Sequence, residues 1–379
     1  MALSSRFLRA ACTVAALLPV ATRAAHAQAA LTATEQRMRD YITAHTDEEV
    51  SLLQAAVNIN SGTLNVAGVR AVGALFRAQL DSLGFTTRWV TLPDSLHRAG
   101  HLVAVHKGKP GTTRVLLIGH LDTVFEGEGQ QFVRADTLAR GAGSSDMKGG
   151  DVILIYALKA MRDAGTLKDA NITVIMHGDE ESPGQPLSIS RKDIRDLAQQ
   201  NDIALAFEGG SRSIVSISRR GASGWLLTVT GRQSHSAGVF GPGAGYGAIY
   251  EVARILDTFR REMAGEQYLT FNPGVIVGGT TVTYDTLHLS GTAAGKTNII
   301  AQTATVPGDL RFITEGQKDS ARARMRAIVA QHLPGTSAEI TFEDGYPAMP
   351  VTPGGEHLVA LYDSVSQSLG YDAVHAQDP

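Results

Sequence analysis

Residues 114–124 read Arg114-Val115-Leu116-Leu117-Ile118-Gly119-His120-Leu121-Asp122-Thr123-Val124. The run 115–118 is wholly apolar and too short for a helix, the mark of a strand buried on both faces. His120 and Asp122 follow it at once. The pattern recurs twice: the apolar run 172–176 precedes Glu180 and Glu181, and the run 203–207 precedes Glu208. A glycine-rich turn, 141–150, carries Asp146 and leads into a helical stretch at 152–161. Short apolar strands alternating with helices predict an α/β fold, a mainly parallel sheet with flanking helices. In such sheets ligands bind outside the carboxyl ends of the strands. Clusters far apart in sequence therefore converge on one place.

Outward from this core, residues 34–45, 48–57 and 68–83 read as helices. The last carries Val69, Val72, Leu75, Phe76 and Leu80 at helical spacing. Residues 86–92 and 101–106 alternate like strands. The character changes near residue 214. A strand at 225–230, a long helix at 246–263, strand-like runs near Val275, Asn298 and Leu310, a polar helix at 317–333 and a short strand at 340–342 no longer alternate strictly. This predicts an inserted α+β module, 214–348, bounded by Pro347, Pro350 and Pro353. The expected division is a leader at 1–27, a first core segment at 28–213, the insert at 214–348, and a second core segment at 349–379 that is incomplete.

The leader reads as a secretory signal. Arg6 and Arg9 precede an apolar stretch of about 13 residues that ends before Ala25-His26-Ala27, a small-residue cleavage pattern. Export to the periplasm or medium is the expectation, with cleavage after Ala27. Cys12, the sole cysteine of the chain, falls in this leader, so the mature chain has no thiol for catalysis or metal binding. The formal net charge of −3 argues against a polyanion-binding role and so against nucleic acid as a partner. No apolar run is long enough for a membrane span. Charged residues at 19% and hydrophobic residues at 43% fit a folded globular chain.

Histidine and carboxylates without cysteine are a zinc ligand set. Asp146, on a backbone with little steric bulk, is placed to bridge two ions, which would clamp a nucleophile and a carbonyl. Asp122, two residues from His120, is placed to orient the imidazole. Glu180 and Glu181 are adjacent, so in extended backbone one can reach a metal while the other faces a substrate. The turn at 141–150 lacks the spacing of a phosphate loop, and its Asp would repel phosphate. Lys148 is read as a local capping or pairing residue.

The segments Gly119-His120-Leu121-Asp122-Thr123-Val124, Asp146-Met147-Lys148-Gly149-Gly150, Asp179-Glu180-Glu181, Phe207-Glu208-Gly209-Gly210 and Gly231-Arg232-Gln233-Ser234-His235-Ser236-Ala237-Gly238 together resemble the zinc peptidases of the M20 family, near its glutamate carboxypeptidase branch. The resemblance implies one zinc held by His120, Asp146 and Glu208. A second would be held by Asp146, Glu181 and a late histidine. It implies Glu180 as general base and Asp122 as the partner of the histidine. The insert then resembles the family's lid, which dimerises, and His235 the lid histidine that reaches a substrate oxyanion, often across the dimer. Asn298 and Arg311 match positions near a substrate carboxylate. The family's last ligand histidine lies in a glycine-rich segment that has no match before Pro379. His357 and His375 are the late histidines, and the chain reads as truncated before that ligand, with little activity expected of it. The implied function is an exported hydrolase that cleaves an amide bond and frees a C-terminal amino acid from short peptides or N-acyl amino acids. An aminopeptidase or deacylase would use the same metals. A non-catalytic peptide- or metal-binding protein is the rival of a different class.

Overall fold

The computed structural model describes residues 31–127, 131–286 and 288–379; the expected leader with Cys12 lies outside the described residues. The first part comprises α1 (Ala33–Ala44), α2 (Thr46–Val57), α3 (Val66–Ser82), β1 (Thr86–Val90), β2 (His101–His106), β3 (Arg114–His120), a small hairpin of β4 (Val133–Ala135) and β5 (Leu138–Arg140), α4 (Lys148–Asp163), β6 (Asn171–His177), α5 (Leu187–Ser190), α6 (Lys192–Gln199), β7 (Ile203–Ala206) and β8 (Ile214–Val215). The insert adds β9 (Gly221–Gly231), α7 (Ala248–Met263), β10 (Thr270–Pro273), β11 (Val277–Gly279), a hairpin of β12 (Thr281–Asp285) and β13 (Ser290–Ala294), β14 (Thr303–Phe312), α8 (Glu315–Val329) and β15 (Thr336–Asp344). Helix α9 (Pro353–Ser368) and strand β16 (His375–Ala376) follow.

Strand alternation builds the first part. Its sheet has the order β1-β2-β6-β3-β7. On β3, Val115 and Leu117 point to one face and Leu116 and Ile118 to the other; on β6, Val174 and Met176 oppose Ile175. The first face meets α3 and α4, which bury Val69, Val72, Phe76, Leu80, Leu154, Ile155 and Leu158. Each such side chain contributes about 1.5–3 kcal/mol. The second face meets α6 through Leu197 and Ile194. The result is three layers. Two of the four pairings are parallel, β3 with β6 and with β7, and this is the side that carries His120. The β1–β2–β6 side is antiparallel. The run 203–207, read as buried, forms the sheet edge, with Leu205 40% exposed: β7 has β3 as its one partner strand among the described residues.

The insert is a second sheet, β10-β14-β9-β15, with β11 also on β14. Trp225, Leu227 and Val229 of β9 pack with Val252, Ile255 and Phe259 of α7 and with Met325 and Ile328 of α8 in a separate core. Gly308 is required here: a Cβ would lie 2.1 Å from the Trp225 indole. Arg219 and Met349 exchange backbone hydrogen bonds of 2.8 and 2.9 Å where the chain enters and leaves this module. Beyond it β16 pairs in parallel with β8, so the chain returns to the segment from which the module departs. Asn298, expected in a strand, lies in a turn instead: its carbonyl accepts the Ser236 amide, and Ile299 turns back on Lys296.

Candidate metal centre

Strands β3 and β6 run in parallel register, His120 beside His177, so both strand ends open on the same side. Gly119 lets the buried Asp151 of α4 close on β3: a Cβ there would meet its Oδ1 at 2.1 Å. That contact brings the first turn of α4, and the turn carrying Asp146, under the strand end.

His120 is 1% exposed. Its Nδ1 lies 3.0 Å from the backbone oxygen of Asp122 and 3.5 Å from that residue's carboxylate. A proton on Nδ1 serves both contacts, which leaves the Nε2 lone pair facing outward. Nε2 stands 3.0 Å from Asp146 Oδ1 and 3.6 Å from Glu208 Oε1. A lone pair against two carboxylates repels, so a cation or a proton must lie among them. With a proton there, burial opposes the imidazolium, but Asp122, Glu208 and Asp151 outweigh it and hold His120 up to about 10. The ligand atoms of His120, Asp146 and Glu208 all lie within 4.8 Å of one another. The chemistry of this donor set therefore fits a divalent cation, one nitrogen and two oxygens with no sulfur.

Asp122 is fully buried and holds more than the histidine. Its Oδ2 accepts the Thr63 hydroxyl at 2.7 Å and the Glu181 amide at 3.1 Å, and its Oδ1 accepts the Glu180 amide at 3.0 Å. Burial would raise its pKa, but His120 and these donors hold it below the usual carboxylate range. Glu180 is exposed. Glu181 is half-buried, with Oε1 enclosed and without a hydrogen bond. Burial, then the charge of Asp146, pushes the Glu181 carboxyl up. Glu208 is also raised by burial, against the pull of His120.

Glu181 thus feels the charge of Asp146 but stands outside the three-residue group. Neither His357, near the start of α9, nor His375, in β16, belongs to any such group among the described residues. Lys148 is wholly buried, and its Nζ donates to the carbonyls of Ala56 and Ile59 at 3.0 and 2.9 Å, tying α2 to α4. Burial lowers it to about 8.

A second group escaped the sequence reading. His101, His177 and Asp179 lie together, all buried. Burial lowers both histidines, His177 well below its ordinary value. Arg191 already pairs with Asp179 at 2.8 Å, so a cation there would meet a guanidinium. No motif announced it, because His101 begins β2, more than 70 residues before His177, and only the antiparallel pairing of β2 with β6 brings the two rings together.

In the second module His235 is exposed and bridges to Ile299, next to Asn298. A cavity of about 550 Å³ opens beside them, lined by Ser236, Tyr246, Tyr250, Lys296 and Thr297. Arg311 is elsewhere. It pairs with Asp309 at 2.8 Å, near the far end of β14, in register with Ala222 at the start of β9. Strand β9 is 11 residues long. At the usual rise it carries the chain about 35 Å from the Arg219–Met349 crossing before His235 is reached. Arg311 therefore sits at the crossing end, and His235 with Asn298 at the opposite end.

The M20 peptidase dimerisation domain matches residues 217–337. Carboxypeptidase G2 of Pseudomonas sp. (strain RS-16) is 29% identical over 345 residues, 87% of this chain and 77% of that protein. Succinyl-diaminopimelate desuccinylase of Cupriavidus taiwanensis is 28% identical over 319 residues, 79% of this chain and 78% of that protein. In fold the chain is similar to the aminopeptidase PepT of Bacillus cereus, with a TM-score of 0.69 at 17% identity, covering 88% of this chain and 84% of that one.

Proposed function

We infer from membership of the M20 peptidase family, whose proteins hydrolyse bonds of peptide or acyl-amino-acid type, that this chain is an exported zinc-dependent hydrolase freeing a C-terminal amino acid from short peptides or N-acyl amino acids. One observation carries the reading: the Nε2 of a buried histidine, held by Asp122, faces one carboxylate from the turn before α4 and one from beyond the end of β7.

His120, Asp146 and Glu208 would hold one zinc, and Asp146 with Glu181 would contribute to a second. When bound, zinc supplies a Lewis acid that polarises the scissile carbonyl and acidifies water. The chain's own residues do the rest. Asp122 fixes the tautomer of His120 and, through two amides, the backbone that carries both glutamates. Glu180 takes the proton of the attacking water and returns it to the leaving nitrogen. His235 donates to the oxyanion, a contact of the kind worth about 2.7–4 kcal/mol. Asn298 and Arg311 bind the substrate carboxylate. Because they lie at opposite ends of the module, one site takes Arg311 from its own chain and His235 with Asn298 from a second copy, in a homodimer formed through this module. Release from the C-terminal side is supported by the likeness to carboxypeptidase G2, and a glutamate-type preference by the resemblance of the motifs to the glutamate carboxypeptidase branch.

Export rests on Arg6, Arg9 and the Ala25-His26-Ala27 pattern; intact-mass measurement of secreted protein should find Gln28 first. Among the described residues no helix is long and apolar enough to cross a membrane. The functional test is a panel of N-acyl amino acids and tripeptides offered to zinc-loaded protein. Release of free C-terminal amino acid, lost in Glu180→Gln, is expected. Cleavage that frees the N-terminal residue instead would contradict the reading.

A further inference from the structure

The two glutamates stand on residues 178–184, a turn with no regular structure to stiffen it. Asp122 holds its two amides from one side. The other side is held by a residue that no motif pointed to. Arg191, between α5 and α6, sends Nη1 to Asp179 Oδ1 at 2.8 Å and Nη2 to the Asp179 backbone oxygen at 2.9 Å. Nη2 also lies 3.5 Å from the Glu180 carbonyl. The remaining Asp179 oxygen accepts the Gly184 amide at 3.0 Å and so closes the turn.

Asp179 is fully buried and the Arg191 side chain 13% exposed. Removing such a pair from water costs most of what its attraction returns, so net stability is a poor reason for keeping it. Geometry is a better one. A guanidinium is a rigid planar fork that fixes a carboxylate and a carbonyl in set directions, whereas an ammonium is a point charge with rotatable donors. Here the fork grips the residue that immediately precedes Glu180. A displacement of about 1 Å in a reacting group can cost on the order of 100-fold in rate.

We propose that Arg191, through Asp179, is a positioning residue that sets the Glu180–Glu181 turn against Asp122 and the metal centre. The proposal rests on the reading of Glu180 as base and Glu181 as ligand. It assigns a purpose to α5 and α6, which otherwise stand outside the site.

The test uses the full chain with zinc. Arg191→Met alone strands a buried carboxylate, so the double variant Asp179→Asn/Arg191→Met is the informative one, with Arg191→Lys beside it. Hydrogen exchange of the peptide spanning 178–184 should quicken at least about tenfold in the double variant, with β3 and β6 unchanged. Its kcat should fall about 10–100-fold, the range seen when such outer partners are lost, with KM within about twofold. Arg191→Lys should fall between. A folded double variant with unchanged exchange at 178–184, or with wild-type kcat, would overturn the proposal. Glu180→Gln run in parallel separates the claims. Full activity there overturns the base and the clamp with it. Loss there, with a wild-type double variant, overturns the clamp alone.

Discussion

His120 does two things with one ring. Nδ1 is tied to Asp122, and Nε2 faces Asp146 and Glu208. In metal-free protein a proton occupies the second position, held up to about 10 against an ordinary 6.5. A raised pKa in the folded state contributes stability fully below 6.5 and loses it as pH rises through 10. The metal-free melting temperature should therefore fall between about pH 7 and pH 10. The stability at stake is a few kcal/mol, since each tenfold gain in proton affinity is worth roughly 1.4 kcal/mol. Zinc must displace that proton, so its affinity should climb over the same window and one proton should be released on binding near pH 8. Melting curves with chelator and with zinc check both; a metal-free curve flat to pH 10 would contradict the assignment. The adjacent glutamates divide differently. Glu181→Ala should lose bound metal, because its Oε1 is enclosed without a hydrogen bond and its carboxyl feels the charge of Asp146, whereas Glu180→Ala should keep its metal and lose turnover. Metal analysis of the two proteins decides, and equal loss from both would refute the division.

At the scale of elements, the strand ends were legible because a buried strand leaves an apolar run, and because chemistry-bearing residues followed three such runs at once. The grip of Asp122 on Thr63 and on two glutamate amides was not legible, since hydrogen bonds across 58 or 59 residues leave no periodic trace. Helix α6 was missed because it buries little besides Leu197. The β12–β13 hairpin was missed because its strands are largely exposed, without an apolar face to read. The exposure of β7 was misjudged because an apolar run looks the same at the edge of a sheet as in its middle. In the second module the pattern of Trp225, Leu227 and Val229 was clear, and the glycine it needs on β14 was not. Gly308→Ala should push the new methyl into the Trp225 indole and destabilise this module by about 1–3 kcal/mol. Metal content should not change, because the two cores are separate. A calorimetric scan that shows no loss would mean that β9 and β14 can move apart.

For the whole molecule, the proposed function has one copy hold the metal residues while another supplies His235. His235→Ala should lower kcat and leave metal bound. Mixed with Glu180→Ala protein, it should recover part of the activity, since one hybrid site then has both groups. No recovery in verified mixed dimers would place His235 in its own chain's site. All of this presumes that His120, Asp146 and Glu208 hold an ion. The most direct measurement is an anomalous difference map from crystals grown with zinc, recorded on both sides of its absorption edge. The account predicts a peak about 2.0–2.2 Å from His120 Nε2 and from carboxylate oxygens of Asp146 and Glu208. A peak at His101, His177 and Asp179 instead, or none at His120, would contradict it.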